Sequence, residues 1–154
     1  MRLSERGLLV MPSAMNTSGT NTTATESVNM KGYNRCRVTF MATLSGAGGG
    51  AITLKQGSST TASTALAFAD YTASIAGTVT HTVATTATGL GSTGECWWSF
   101  EIKAEDLNTD TYGSENTYVR MNTASFSNLT ACGILYELYE PIAARGSDGM
   151  PSVA

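Results

Sequence analysis

Cys96-Trp97-Trp98-Ser99-Phe100-Glu101-Ile102 reads as a strand with two unlike sides. Successive side chains of an extended chain point to opposite faces, so Cys96, Trp98, Phe100 and Ile102 share one side. Trp97, Ser99 and Glu101 take the other. The same period of two runs through Arg37-Val-Thr-Phe-Met-Ala-Thr-Leu44, where Val38, Phe40, Ala42 and Leu44 form the apolar set. It returns in Thr130 to Glu140, with Cys132, Ile134, Tyr136 and Leu138 on a common face.

Between these segments lie shorter candidates. The glycine-rich Ser45-Gly-Ala-Gly-Gly-Gly50 leads into Ala51-Ile-Thr-Leu-Lys-Gln56, which predicts a hairpin joining the 37–44 and 51–56 strands. Ala65 to Tyr71 predicts one further strand, Thr78 to Val83 another, and Tyr118 to Asn122 a third. Helical signal is confined to Lys103-Ala-Glu-Asp-Leu107, a single turn at most. The 24 threonines suit pleated, half-exposed surfaces. Seven to eight short strands joined by polar turns predict an all-β fold, an antiparallel, jelly-roll-like β-sandwich with extended N- and C-terminal arms.

A length of 154 residues fits one domain, and 42% apolar residues can fill its core. The stretch from Ser13 to Glu26 is largely Asn, Thr, Ser, Ala and Gly, which buries too little to fold alone. Residues 1–26 therefore read as an N-terminal arm, 27–141 as the sandwich and 142–154 as a tail. Only 14% of residues are charged, with a net charge of −3, whereas nucleic-acid binding needs clustered Lys and Arg. Apolar runs fall short of the roughly 20 residues that span a bilayer. The charged opening Met1-Arg-Leu-Ser-Glu-Arg-Gly7 does not suit an export signal. Neither nucleic acid nor membrane is an expected partner.

Chemistry-bearing residues are sparse. Cys36, Cys96 and Cys132 are widely spaced, and His81 alone could complete a Cys3His zinc set. Each cysteine sits in an apolar strand pattern, so buried thiols are expected, with no metal or other cofactor. His81 would have to serve as the base of any Ser or Cys hydrolase, yet it lies in a threonine-rich strand beside Val79 and Val83. Glu105, Asp106, Asp110, Glu137 and Glu140 offer carboxylates, but in positions suited to caps and solvent. No catalytic residues are expected.

Trp97 is the residue the alternation singles out. With Trp98 inward, Trp97 faces outward, where an indole can anchor a protein partner or stack on a sugar. Leu135 and Tyr139 fall on the non-core side of their own strand. The apolar run Leu8, Leu9, Val10 and Met11 gives the N-terminal arm an anchor. These seven residues form the expected partner interface.

The order of elements resembles a known group. An arm from Ser4-Glu5 leads through Ser27-Val-Asn-Met-Lys-Gly-Tyr33 into a Val-Thr-Phe strand, then a Gly-rich connection, Ala51-Ile-Thr-Leu-Lys-Gln56 and Ala65-Leu-Ala-Phe68. Phe100-Glu-Ile-Lys-Ala-Glu-Asp-Leu107, Tyr118-Val-Arg-Met121 and a last strand ending Tyr139-Glu-Pro141 follow. Over residues 27–141 the chain resembles head decoration (cement) proteins of tailed bacteriophages, small virion proteins with a β-sandwich body. The resemblance implies a structural protein of the capsid exterior that binds the major capsid protein. It implies a homo-oligomer, with a trimer favoured, and no enzymatic role. A tail-associated virion protein, or a carbohydrate-binding module using Trp97 and nearby tyrosines, are the competing expectations.

Overall fold

The structure, a computed structural model, describes residues 7–10, 27–46, 50–68, 71–75, 78–82, 87–88, 94–108, 115–124 and 128–141. Eleven strand segments make up nearly all of it: β1 (Gly7–Val10), β2 (Val28–Asn29), β3 (Tyr33–Leu44), β4 (Ala51–Gly57), β5 (Thr64–Leu66), β6 (Tyr71–Ile75), β7 (Thr78–Thr82), β8 (Ala87–Thr88), β9 (Gly94–Lys103), β10 (Tyr118–Ala124) and β11 (Leu129–Pro141). One 3-10 turn, Ala104–Asp106, follows β9. Among the described residues no helix is long and apolar enough to cross a membrane.

The strands form two antiparallel sheets. The larger has the order β1-β11-β3-β9-β6-β7; the smaller has β2-β10-β4-β5, with β8 on the same side of β4 as β5. The long strands alternate between the sheets, and their apolar faces close on each other. From the larger sheet come Val38, Phe40, Leu44, Trp98, Phe100, Ile102, Tyr136 and Leu138; from the smaller come Val28, Ile52, Leu54, Leu66, Val119 and Met121. This is the sandwich the alternation predicts, with more strands than expected: β3, β9 and β11 run longer than the sequence pattern indicates, and β1, β2 and β8 are short additions.

Phe40 and Trp98 sit opposite each other in the β3–β9 ladder, and their rings stack at 5.5 Å. Phe68 packs edge-on against Phe100 at 4.8 Å. Tyr136 reaches from the larger sheet into the smaller, where its hydroxyl accepts a 3.0 Å hydrogen bond from the Met121 amide. Burial raises the Tyr136 pKa well above its usual value and outweighs the Met121 bond, which alone would favour the phenolate, so the phenol stays neutral.

At one end of the sandwich lies a buried polar cluster. Gln56, fully buried, donates from Nε2 to the Ala65 carbonyl at 3.1 Å. Its Oε1 accepts from the Asn108 amide at 2.8 Å and from Asn116 Nδ2 at 3.3 Å. One side chain thereby ties β4 to β5 and to the segments flanking residues 109–114.

Three connections differ from expectation. β3 and β4 do not form a hairpin: β3 is hydrogen-bonded on both sides, by β9 and β11, so β4 has to enter the other sheet. The true hairpin is β4–β5, where the chain folds back so closely that a Cβ at Gly57 would lie 2.8 Å from Ala62 Cα. Ala65 to Tyr71 is likewise not one strand. It starts in β5 of the smaller sheet and ends in β6 of the larger, because Leu66, Phe68 and Tyr71 all turn into the core as the chain crosses.

The third correction concerns the arm. Its apolar piece is paired within the fold, since β1 runs antiparallel to Tyr136–Tyr139 of β11. Backbone groups on the open edge of β11 supply that pairing, which a reading of side-chain composition does not detect. Met11, the rest of the 1–26 arm and the 142–154 tail lie outside the described residues.

Replacing Trp98 by Ala should cost about 3–5 kcal/mol, the range for a buried aromatic truncation. Replacing Tyr136 by Phe removes one oxygen yet orphans the buried Met121 amide, and should cost about 1–3 kcal/mol. Urea denaturation of both variants measures the two losses; a Tyr136→Phe protein as stable as the parent would show that the cross-sheet bond contributes nothing net.

Candidate interaction face

The register of the larger sheet orders its outer side chains into rows. Arg35 to Leu44 of β3 pair without interruption with Lys103 to Gly94 of β9, so no bulge disturbs the alternation across the two tryptophans. Gly94, at φ 116, turns the chain into β9 in a conformation that suits glycine. One row across the sheet reads Gly133, Met41, Trp97, Ser74 and Val79. The next reads Leu135, Thr39, Ser99, Thr72 and His81. A third reads Leu9, Glu137, Arg37 and Glu101, and a fourth Gly7, Tyr139, Arg35 and Lys103.

The first row carries three large apolar side chains, Met41, Trp97 and Val79, with Ser74 buried among them. Met41 is 44% and Val79 62% exposed, while Trp97 between them and Leu135 in the neighbouring row are half-buried. Trp98 is 0% exposed on the reverse side. The adjacent indoles thus part as the sequence predicts, Trp98 into the core and Trp97 outward. Leu135 and Tyr139 share the outer face with Trp97. Leu8 and Leu9 lie at the edge of the same sheet and are about half exposed, and Leu9 joins the outer face beside Glu137. Val10 pairs with Tyr136 in β11.

The third and fourth rows carry charge, and it is paired. The Arg35 guanidinium bonds Glu101 and, through Nε at 3.0 Å, Glu140. Arg37 bonds Glu137 at 3.2 Å and lies over the Tyr139 ring, 5.6 Å from its centroid. The Tyr139 hydroxyl donates to Glu101, and this bond, followed by the bonds from Arg35, holds the Glu101 carboxyl below its usual pKa. Partial burial and the same bond to Glu101 push Tyr139 up to about 12. Past β9, Lys103 Nζ meets Glu105 at 3.2 Å, and the Lys103 amide donates to Asp106 at 3.0 Å.

An open groove of about 1080 Å³ runs over this face and round the end of β6. Trp97, Ser99, Thr72, Thr39 and His81 line it on the sheet, and Arg37, Glu101, Lys103 and Asp106 line its charged end. Ala67, Phe68 and Tyr71 close the corner. The groove gathers a serine, a histidine and carboxylates. Thr72 stands between Ser99 and His81 in their row, so their backbones are two strand spacings (roughly 9.5 Å) apart. Glu101, with its lowered pKa, remains a carboxylate where a general acid must hold a proton. Asp110 lies outside the described residues.

The thiols are equally separated. Cys96 and Cys132 flank Ala42 in one inward-facing row, and Cys36 lies six positions along β3, roughly 20 Å away. All three are buried and none is in a disulfide, and burial pushes the Cys36 thiol up to about 12, which keeps it protonated and inert. His81 is exposed on the opposite face of the sheet. Among the described residues no cluster of three His, Cys, Asp or Glu could hold a metal ion.

Met41, Val79 and the Arg35–Glu101 and Arg37–Glu137 pairs are the members of this face that the sequence reading does not name. Met41 is legible as the odd position between Phe40 and Ala42. Val79 and the ion pairs depend on which strands become neighbours. No protein-family model matches the chain, and neither does any characterised protein or solved structure.

Because Glu101 is more acidic in the folded chain than in the unfolded one, its pairing stabilises the fold above the usual carboxylate range. That contribution is lost as pH falls through the lowered folded pKa. Replacing Tyr139 by Phe removes the largest cause of the shift. Unfolding midpoints measured from pH 7 down to pH 3 should fall less steeply in Tyr139→Phe than in the parent; parallel curves would exclude Glu101 as a contributor.

Proposed function

We propose that the chain is a structural virion protein that decorates or cements a bacteriophage capsid, binding the major capsid protein lattice as a homo-oligomer and performing no catalysis. The observation that carries this reading is the outer face of the larger sheet, where Met41, Trp97, Val79 and Leu135 are presented together on a continuous six-stranded scaffold. Aromatic residues and methionine are enriched where proteins meet, and a fully paired sheet loses little conformational freedom on docking. The neighbouring charges already neutralise each other, so this face can approach a partner without stranding a charge. Many copies on one shell then add avidity to a modest single contact. Low overall charge and the order of elements that resembles phage decoration proteins point the same way.

A sugar is the second reading, favoured by one feature. Trp97 lines the groove beside hydroxyl and charged side chains, Ser99, Thr72 and Arg37 among them, a combination that can stack on and hydrogen-bond a saccharide.

The two readings separate in one experiment. The protein should co-sediment saturably with shells assembled from the major capsid protein of its own phage. Trp97→Ala should leave the fold intact yet weaken that binding about 30-fold, equivalent to roughly 2 kcal/mol at a hot spot. Failure of the parent protein to bind shells would overturn the proposal. Glycan-array binding that Trp97→Ala abolishes, with shell binding unchanged, would move the interface to the sugar reading.

A further inference from the structure

Among the described residues, strand β1 is held along one edge only. Its four residues pair with Tyr136–Tyr139 of β11, a strand of 13 residues. Leu8 and Leu9 remain 49% and 52% exposed, so the backbone ladder rather than apolar burial accounts for the fit. A four-residue edge pairing with little buried area opens easily.

The covalent connection is long. Residues 11–27 separate β1 from β2, and 17 residues can span at most roughly 60 Å. A body of this length has a radius of gyration of roughly 15 Å, so that reach extends to the matching edge of a touching neighbour. Pro12, two residues past Val10, has no amide hydrogen to extend a ladder, which keeps the mobile unit short.

We propose that β1 is an exchangeable strand: at high local concentration, Gly7–Val10 of one copy occupies β11 of a second copy of this chain in the same register. The second copy is the fitting occupant because the register is already matched, Leu8 opposite Leu138 and Leu9 opposite Glu137. The bonds broken on opening are remade on exchange, so concentration decides between the two forms. A tether sets an effective concentration of about millimolar, which wins in dilute solution and meets its equal where copies crowd together. The exchange is independent of what surface the copies crowd upon.

Disulfide trapping in the full-length chain tests this. Leu9→Cys and Glu137→Cys are made as separate variants, one carrying a size tag, and mixed under oxidation at rising concentration. The three native cysteines are buried and contribute little background. The matched mixture should give roughly tenfold more cross-linked heterodimer than Leu9→Cys mixed with Ala131→Cys, since register raises the effective concentration of one pair alone. A second matched pair, Gly7→Cys with Tyr139→Cys, reads the same register without disturbing the Arg37–Glu137 contact. The Leu9→Cys/Glu137→Cys double variant should close within one chain when dilute. Heterodimer absent from both matched mixtures, or equal in matched and mismatched ones, would overturn the proposal.

Discussion

The pairing of β3 with β9 on one side and β11 on the other is the constraint on which the rest of the structure depends. It uses both edges of the central strand, so from Arg35 to Leu44 β3 has a neighbour strand on each side. It also locks three periods of two into one phase. On the inner face this stacks Phe40 on Trp98 and aligns Val38 with Phe100 and Tyr136. On the outer face the same phase places Met41 beside Trp97. A slip of one residue would expose Trp98 and bury Arg37, a cost that the buried apolar row makes prohibitive.

That phase was readable in the amino-acid sequence, because alternation is local and β9 carries it without interruption. The fold class, the inward Trp98 and the outward Trp97 all follow from it. Which strands become neighbours was not readable. The Gly-rich 45–50 connection looks like a hairpin loop, yet the filled edges of β3 send the chain to the other sheet. Before the chain leaves the larger sheet, the Ser45 amide donates to the carbonyl of Asn128, 83 positions away, at 2.9 Å. The Ala65–Tyr71 run is mostly apolar, and only the crossing between sheets explains why Leu66, Phe68 and Tyr71 are all buried. Val79 gains its meaning from Ser74 on the adjacent strand β6 and from Trp97, which lies on a strand that no local pattern joins to it.

The ionisable groups show how the molecule uses its few charges. Where pKa values shift, they shift toward inertness. The Cys36 thiol and the Tyr136 phenol are held neutral by burial, and Glu101 is held ionised by Tyr139 and Arg35. Catalytic sites move their groups toward the working pH instead. Surface ion pairs of this kind stabilise little individually. Their effect here is geometric, since Arg35 links β3 to Glu101 of β9 and to Glu140 at the end of β11. The charged rows thereby brace the same three strands that present the apolar row.

The edge and the face belong to one sheet, and this couples their geometry. Row order carries the outer face outward from β9 through β3 and β11 to Leu9 of β1. Any strand seated on β11 in this register places a leucine beside Glu137, whichever copy supplies it. The outer face is therefore the same surface in a closed chain and in an exchanged one. A partner that recognises Met41, Trp97 and Leu135 meets an unchanged site in both, so linking neighbouring copies and binding a common surface do not compete. Under the proposed lattice binding and strand exchange, that independence would let many weak, repeated contacts accumulate without any one of them having to be strong.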